Sequence, residues 1–175
     1  LKEYGWHTPL DELVYATTAQ DEDFLEPIVI DCETIKRVSW REGFKILGTT
    51  LTLDNRQDKE LARRISSAWG TFRKFSSLLC CKAIPLRTRL GILDRTAKKA
   101  LFWCCGSWNL RKEQLPTLRR VHCSMIRKMI RFKRADGELL DDFMQRSNGT
   151  IKNLLRVNSF VLWDQVYHLE VFKWA

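Results

Sequence analysis

The sequence predicts an α+β fold that is mostly α, and three features carry that prediction. Helical spacing of apolar residues runs from Leu61 almost to the last residue. Two short runs before it, Pro27-Ile28-Val29-Ile30-Asp31 and Thr49-Thr50-Leu51-Thr52-Leu53, have strand character. The 175 residues, 45% of them hydrophobic, suffice for a packed core, and that content is too high for a disordered tail. The expected architecture is a small remnant of β-sheet followed by a helical subdomain.

The first strand is β-branched and the second alternates between two faces. Between them, Gly43-Phe44-Lys45-Ile46-Leu47-Gly48 joins a bulky apolar run to a glycine, a sign of close backbone approach. The acidic run Asp21-Glu22-Asp23 reads as an exposed loop. A first helix opens at the capping candidate Asp58 and buries Leu61, Ile65, Trp69, Phe72 and Leu79, leaving Arg63, Arg64, Arg73 and Lys74 mostly on the other side. Pro85 suits the first turn of a second helix, with Leu86, Leu90, Leu93, Ala97 and Leu101 inward and Arg87, Arg95, Lys98 and Lys99 toward solvent. Gly106-Ser107 ends it. A third helix places Leu118, Val121, Met125 and Met129 inward and Arg119, Arg120, Arg127, Lys128 and Arg131 outward. Beyond Gly137, two more helical stretches are expected, around Leu140-Phe143-Met144 and around Trp163-Tyr167-Val171-Trp174, with Ser147-Asn148-Gly149 as the turn between them.

The net charge of +9 conceals a segregation of sign. Residues 1–55 carry five basic and eleven acidic side chains, residues 56–134 carry twenty-one and four, and residues 135–175 carry four and six. Ordinary surfaces mix both signs. A middle segment this basic repels itself unless a polyanion meets it, so nucleic acid is the expected partner. An anionic membrane surface fits the sign but not the apolar residues, which are committed to a core, and no apolar run reaches the length of a membrane span.

Catalytic arrangements are sparse. The eight glycines form no phosphate-cradling cluster, and His7, His122 and His168 are far apart. No serine lies in a nucleophile elbow. Asp141-Asp142 is the one adjacent carboxylate pair in an apolar setting, and it fits the start of an amphipathic helix, where the helix dipole favours acids, better than a two-metal centre. Four of the six cysteines form the doublets Cys80-Cys81 and Cys104-Cys105, each preceded by apolar residues (Leu78-Leu79, Phe102-Trp103). Reduced, packed thiols are expected, and His122-Cys123 with Cys104-Cys105 is a weak zinc alternative lacking the usual spacing. With no secretion signal, the expected compartment is intracellular. The chain starts without Met and stops inside an apolar pattern at Trp174-Ala175, so it reads as a piece of a longer protein.

The segment Phe44, Lys45, Ile46, Leu47, Gly48, followed by the strand from Thr49, resembles the F-x-Y-L-G block of reverse transcriptases from non-LTR (LINE-type) retrotransposons. In that family the block is the primer grip, a hairpin that holds the primer's 3′ end. The order of later residues is also similar: Arg64-Ile65, Trp69 and Phe72, then Leu86 and Leu90, then Gly106-Ser107-Trp108 where the family has Gly-x-x-Trp, then Met125 with Arg127, and a late Trp at 174. The resemblance implies that residues 1–55 are the end of a palm, 56–134 a basic helical thumb, and 135–175 a connection to a C-terminal region. It also implies that the catalytic aspartates, with their divalent metal (Mg2+), precede the grip in the missing palm and fingers of the same polypeptide, so this chain has no catalytic residue and needs no cofactor. If Gly5-Trp6 matches the family's Gly-Leu, Glu12 stands where the family has a lysine near the incoming nucleotide.

The expected activity is therefore binding of a template–primer duplex, chiefly through phosphate and sugar. Lys45 and Gly48 serve the primer side, Arg63, Arg64, Arg73 and Lys74 the duplex backbone, and Lys98 and Lys99 stand behind them. Trp69, Phe72, Leu90, Leu101, Trp108 and Met125 are assigned to the core. An active retroelement protein would work in the nucleus. Two alternatives stay open: a domesticated or degenerate helical nucleic-acid-binding protein, and a protein-interaction module whose basic face meets an acidic partner.

Overall fold

The computed structural model describes residues 13–17, 27–30, 32–38, 44–46, 49–51 and 57–173. The chain is mostly helical with a few short strands, as the apolar spacing predicts. It divides into two compact units, Leu1–Glu60 and Leu61–Ala175.

Among the described residues, the first unit holds three two-stranded pairings. β1 (Val14–Tyr15) runs parallel to β4 (Lys36–Arg37), while β2 (Val29–Ile30) and β3 (Glu33–Thr34) pair antiparallel with Ile30 opposite Glu33. That register leaves a two-residue connection, and Cys32 in it has φ +68°, the sign such tight hairpins require. β5 (Phe44–Ile46) and β6 (Thr49–Leu51) form the hairpin of the grip-like block, with Phe44 opposite Leu51 and Ile46 opposite Thr49. Leu47 and Gly48 lie outside the described residues, as do Asp21-Glu22-Asp23 and Glu12. The backbone N–H of Thr50 donates to Oε2 of the buried Glu60 at 3.0 Å, which ties the second strand to the first turn of α1 (Asp58–Lys74).

The second unit closes around one apolar core. α1 contributes Ala68 and Phe72, and α2 (Ser76–Leu79) contributes Leu79. α3 (Leu86–Arg95) and α4 (Ala97–Leu101) add Leu90, Leu93, Ala97 and Leu101. The other side comes from α5 (Leu115–Ile130), α6 (Leu140–Val157) and α7 (Trp163–Phe172), through Leu118, Met125, Met129, Ile151, Leu155, Trp163 and Tyr167. Of the residues expected in the core, Phe72, Leu90, Leu101, Trp108 and Met125 are buried, and Trp69 packs half-buried against them. The Tyr167 hydroxyl donates to the Trp108 carbonyl (3.1 Å) and accepts from the Leu110 N–H (3.3 Å), pinning the loop after α4 to α7.

Three expectations about the helices are corrected. The first and second expected helices each divide. Thr96 breaks the second: its Oγ1 donates to the Ile92 carbonyl four residues back at 2.7 Å, and its backbone leaves helical geometry at φ −114°, ψ −80°. The expected turn at Ser147-Asn148-Gly149 is instead the middle of α6. Arg127 of α5 explains why, since its Nη1 donates to Ser147 Oγ at 3.2 Å and to Asn148 Oδ1 at 2.9 Å. Turn-forming residue types here serve as polar contacts between two helices.

Candidate nucleic-acid interface

The acidic residues of the second unit are arranged as unevenly as those of the whole chain. From Leu61 to Leu93 there is none, against seven Lys or Arg, and from Gln114 to Ala135 there is again none against seven. The fold joins these two acid-free stretches. Lys128 of α5 lies over the Trp69 ring of α1, 4.9 Å from its centre, and the Cys80 thiol donates to the Lys128 carbonyl at 3.8 Å.

Arg89 makes the firmest join. It is buried, and its guanidinium meets only main-chain carbonyls: Nε donates to Ile84 (3.0 Å), and Nη1 to Leu79 (3.2 Å) and Met129 (3.0 Å). Leu79 and Met129 lie in the last turns of α2 and α5, where helix carbonyls lack intrahelical partners and the helix dipole is negative. One cation therefore closes two helix ends together and adds no carboxylate to the surface. On the two stretches that this clasp joins, Arg73, Lys74, Lys82, Arg87, Lys128 and Arg131 are among the exposed cations, and no carboxylate pairs with them among the described residues.

Arg131 terminates α5 in the left-handed region (φ +54°), with its N–H on the Arg127 and Lys128 carbonyls. Glycine is the usual residue there, because a Cβ is strained. An arginine at that position keeps a positive charge where backbone geometry favours a smaller residue.

The structure separates the expected contact residues. Arg73, Lys74 and Lys99 are exposed as expected, and Arg63 is half-buried. Arg64 is corrected: it is buried, 6% exposed, because it lies between Leu61 and Ala68 on the inward stripe of α1. Lys98 is corrected too, since Asp94 one turn earlier holds its ammonium at 2.7 Å and cancels its charge. Lys45 lies in β5, opposite Thr50.

Two cations on α5 are engaged within the fold, although Arg119 stays outward as expected, with its side chain 56% exposed. Arg119 donates through Nε and Nη2 to Asp164 Oδ2, at 2.9 and 2.5 Å, and that hydrogen bond raises its pKa. Arg127 is occupied by α6. Arg89 is the residue that sequence reasoning missed. Its signal was present: an arginine three residues after Leu86 and four before Leu93 falls on the buried stripe of its own helix.

The remaining chemistry is structural. All six thiols are free, and Cys105 and Cys123 are buried; burial, with the Glu170 carboxylate nearby, pushes the Cys105 thiol up to about 11. His122 is buried flat against Trp163, with ring centres 4.3 Å apart, and desolvation holds its pKa down to about 3. Asp141 and Asp142 are exposed in the first turn of α6. Among the described residues no three His, Cys, Asp or Glu side chains could share a metal ion, and no helix is long and apolar enough to cross a membrane. No family model, curated protein or solved structure matches the chain.

Proposed function

We propose that the chain is the primer-grip and thumb portion of a reverse transcriptase of the non-LTR retrotransposon kind, and that its own activity is to hold a template–primer duplex by backbone contacts. The observation that carries this reading is the acid-free basic surface around Arg89. A duplex backbone is a regular polyanion, and it is met best by fixed cations that have no internal counter-charge. Arg73, Lys74, Lys82, Arg87, Lys128 and Arg131 are such cations. Resemblance of the block from Phe44 to Gly48 to a primer grip, together with the hairpin pairing of β5 and β6, supports the assignment of the first unit. In this reading Lys45 and Gly48 serve the primer strand. Arg64 and Lys98 leave the contact set, because one is buried and the other is neutralised. The polymerase chemistry and its divalent metal belong to residues other than these, and the chain's contribution is affinity and register.

Charge reversal tests the proposal. The double variants Arg73→Glu/Lys74→Glu and Lys128→Glu/Arg131→Glu are expected to weaken binding of an RNA–DNA hybrid at least about tenfold each, measured by fluorescence anisotropy at fixed salt. Arg95→Glu, which changes an exposed cation outside the two acid-free stretches, controls for net charge. Equal loss from all three variants would leave only non-specific attraction and would remove the Arg89-centred surface from the account.

A further inference from the structure

A second, chemically different site lies at the end of α4. Lys98, Lys99, Phe102 and Trp103 line a cavity of about 270 Å3 together with Glu170 of α7, close to the lower size of small-molecule pockets (roughly 300 Å3) and suited to one flat ring. Phe102 is buried, whereas the neighbouring Trp103 indole is 57% exposed. The reason is Cys104, whose left-handed backbone (φ +57°) turns the chain into the short helical turn Cys105–Ser107. Ser107 Oγ holds that turn by donating to the Cys104 carbonyl at 2.9 Å. The indole is thus presented to solvent from an ordered support.

Glu170 gives the cavity its selectivity. The residue is 8% exposed, and its Oε1 accepts from Lys173 Nζ at 3.1 Å, so a carboxylate is held at the wall beside an open aromatic face. A carboxylate only accepts hydrogen bonds. Among the bases, guanine alone offers two adjacent donors, N1–H and the N2 amino group, on its Watson–Crick edge. Adenine and cytosine set one amino group beside a ring-nitrogen acceptor that a carboxylate repels, and uracil sets one N–H between two carbonyls. Lys99, exposed and unpaired with any carboxylate among the described residues, supplies the charge for a phosphate.

The geometry points to this cavity as a subsite for one unpaired guanine of a single-stranded segment, stacked on Trp103, accepted by Glu170 and held at its phosphate by Lys99. The inference rests on the nucleic-acid reading above and adds to it a base preference that backbone contacts cannot supply.

Calorimetric titration of the full chain with GMP, AMP, CMP and UMP tests it, beside a blunt RNA–DNA hybrid as a separate arm. GMP is expected to bind at least about fivefold more tightly than the other three. Trp103→Ala should weaken GMP about fivefold or more, Glu170→Gln should erase the preference, and Lys99→Ala should weaken all four nucleotides alike. Neither Trp103→Ala nor Glu170→Gln should change affinity for the blunt hybrid. Equal affinities for the four nucleotides, no binding of any of them, or a guanine preference that survives both Trp103→Ala and Glu170→Gln overturns the subsite. The blunt hybrid decides the duplex proposal independently of those outcomes.

Discussion

Arg89 shows how one buried side chain can join two helix ends, and in the proposed reading it also underlies the cationic surface. Its bonds to the Leu79 and Met129 carbonyls satisfy two helix ends, and a third holds the Ile84 carbonyl of the intervening loop, so Arg89→Met should lower unfolding free energy by about 3 kcal/mol in urea titrations. Arg89→Lys should recover only part of that loss, because an ammonium cannot reproduce the planar fork. His122 makes the opposite kind of prediction. With its pKa held near 3 in the folded chain against about 6.5 when unfolded, only the unfolded state takes up a proton between those values. Stability therefore falls as pH drops below about 6.5, by about 2 kcal/mol at pH 5, and is fully present above it. His122→Phe keeps a ring against Trp163 and removes a ring Nδ1 that has no partner among the described residues. That variant should flatten the stability profile between pH 7 and pH 5 in thermal unfolding scans.

At the scale of elements, the helices were legible wherever apolar spacing was uninterrupted. The pattern from Leu61 to Phe72 gave α1, and that from Leu118 to Met129 gave α5. What sequence reasoning misjudged were polar residues whose role depends on a distant partner. Ser147-Asn148-Gly149 has turn composition, but Arg127, twenty residues away, holds it helical, and nothing local announces that contact. The same limit applied to Arg119, whose carboxylate partner Asp164 is forty-five residues away, whereas the Asp94 partner of Lys98, one turn earlier on the same helix stretch, was within reach. Arg64 and Arg89 were within reach, because their register on the apolar stripe was visible and only their charge argued for exposure. Continuity of α6 has a consequence of its own. Gly149 is exposed in the helix with open space around its Cα, so Gly149→Ala should stabilise the protein by about 0.5–1 kcal/mol by chemical denaturation, where a turn glycine would give no gain.

At the scale of the whole molecule, charge segregation is the feature the sequence carried most plainly, and the helical unit concentrates it further. Burial or internal ties remove Arg64, Arg89, Lys98, Arg119 and Arg127 from the pool of available cations, and Arg73, Lys74, Lys82, Arg87, Lys128 and Arg131 are among the exposed ones left on the two acid-free stretches. The positive surface is therefore smaller than the composition suggests and better defined in place. In the proposed reading its contact with a duplex should be electrostatic and indifferent to base sequence, with any base preference coming from the proposed Trp103 subsite. The most direct test is the salt dependence of binding to an RNA–DNA hybrid, with duplex DNA and single-stranded RNA as controls. If about five phosphates are neutralised, log affinity should fall against log salt with a slope of roughly −4 to −5, and the hybrid should bind most tightly. A slope near zero, in a chain that circular dichroism shows to be folded, would contradict a duplex-holding surface.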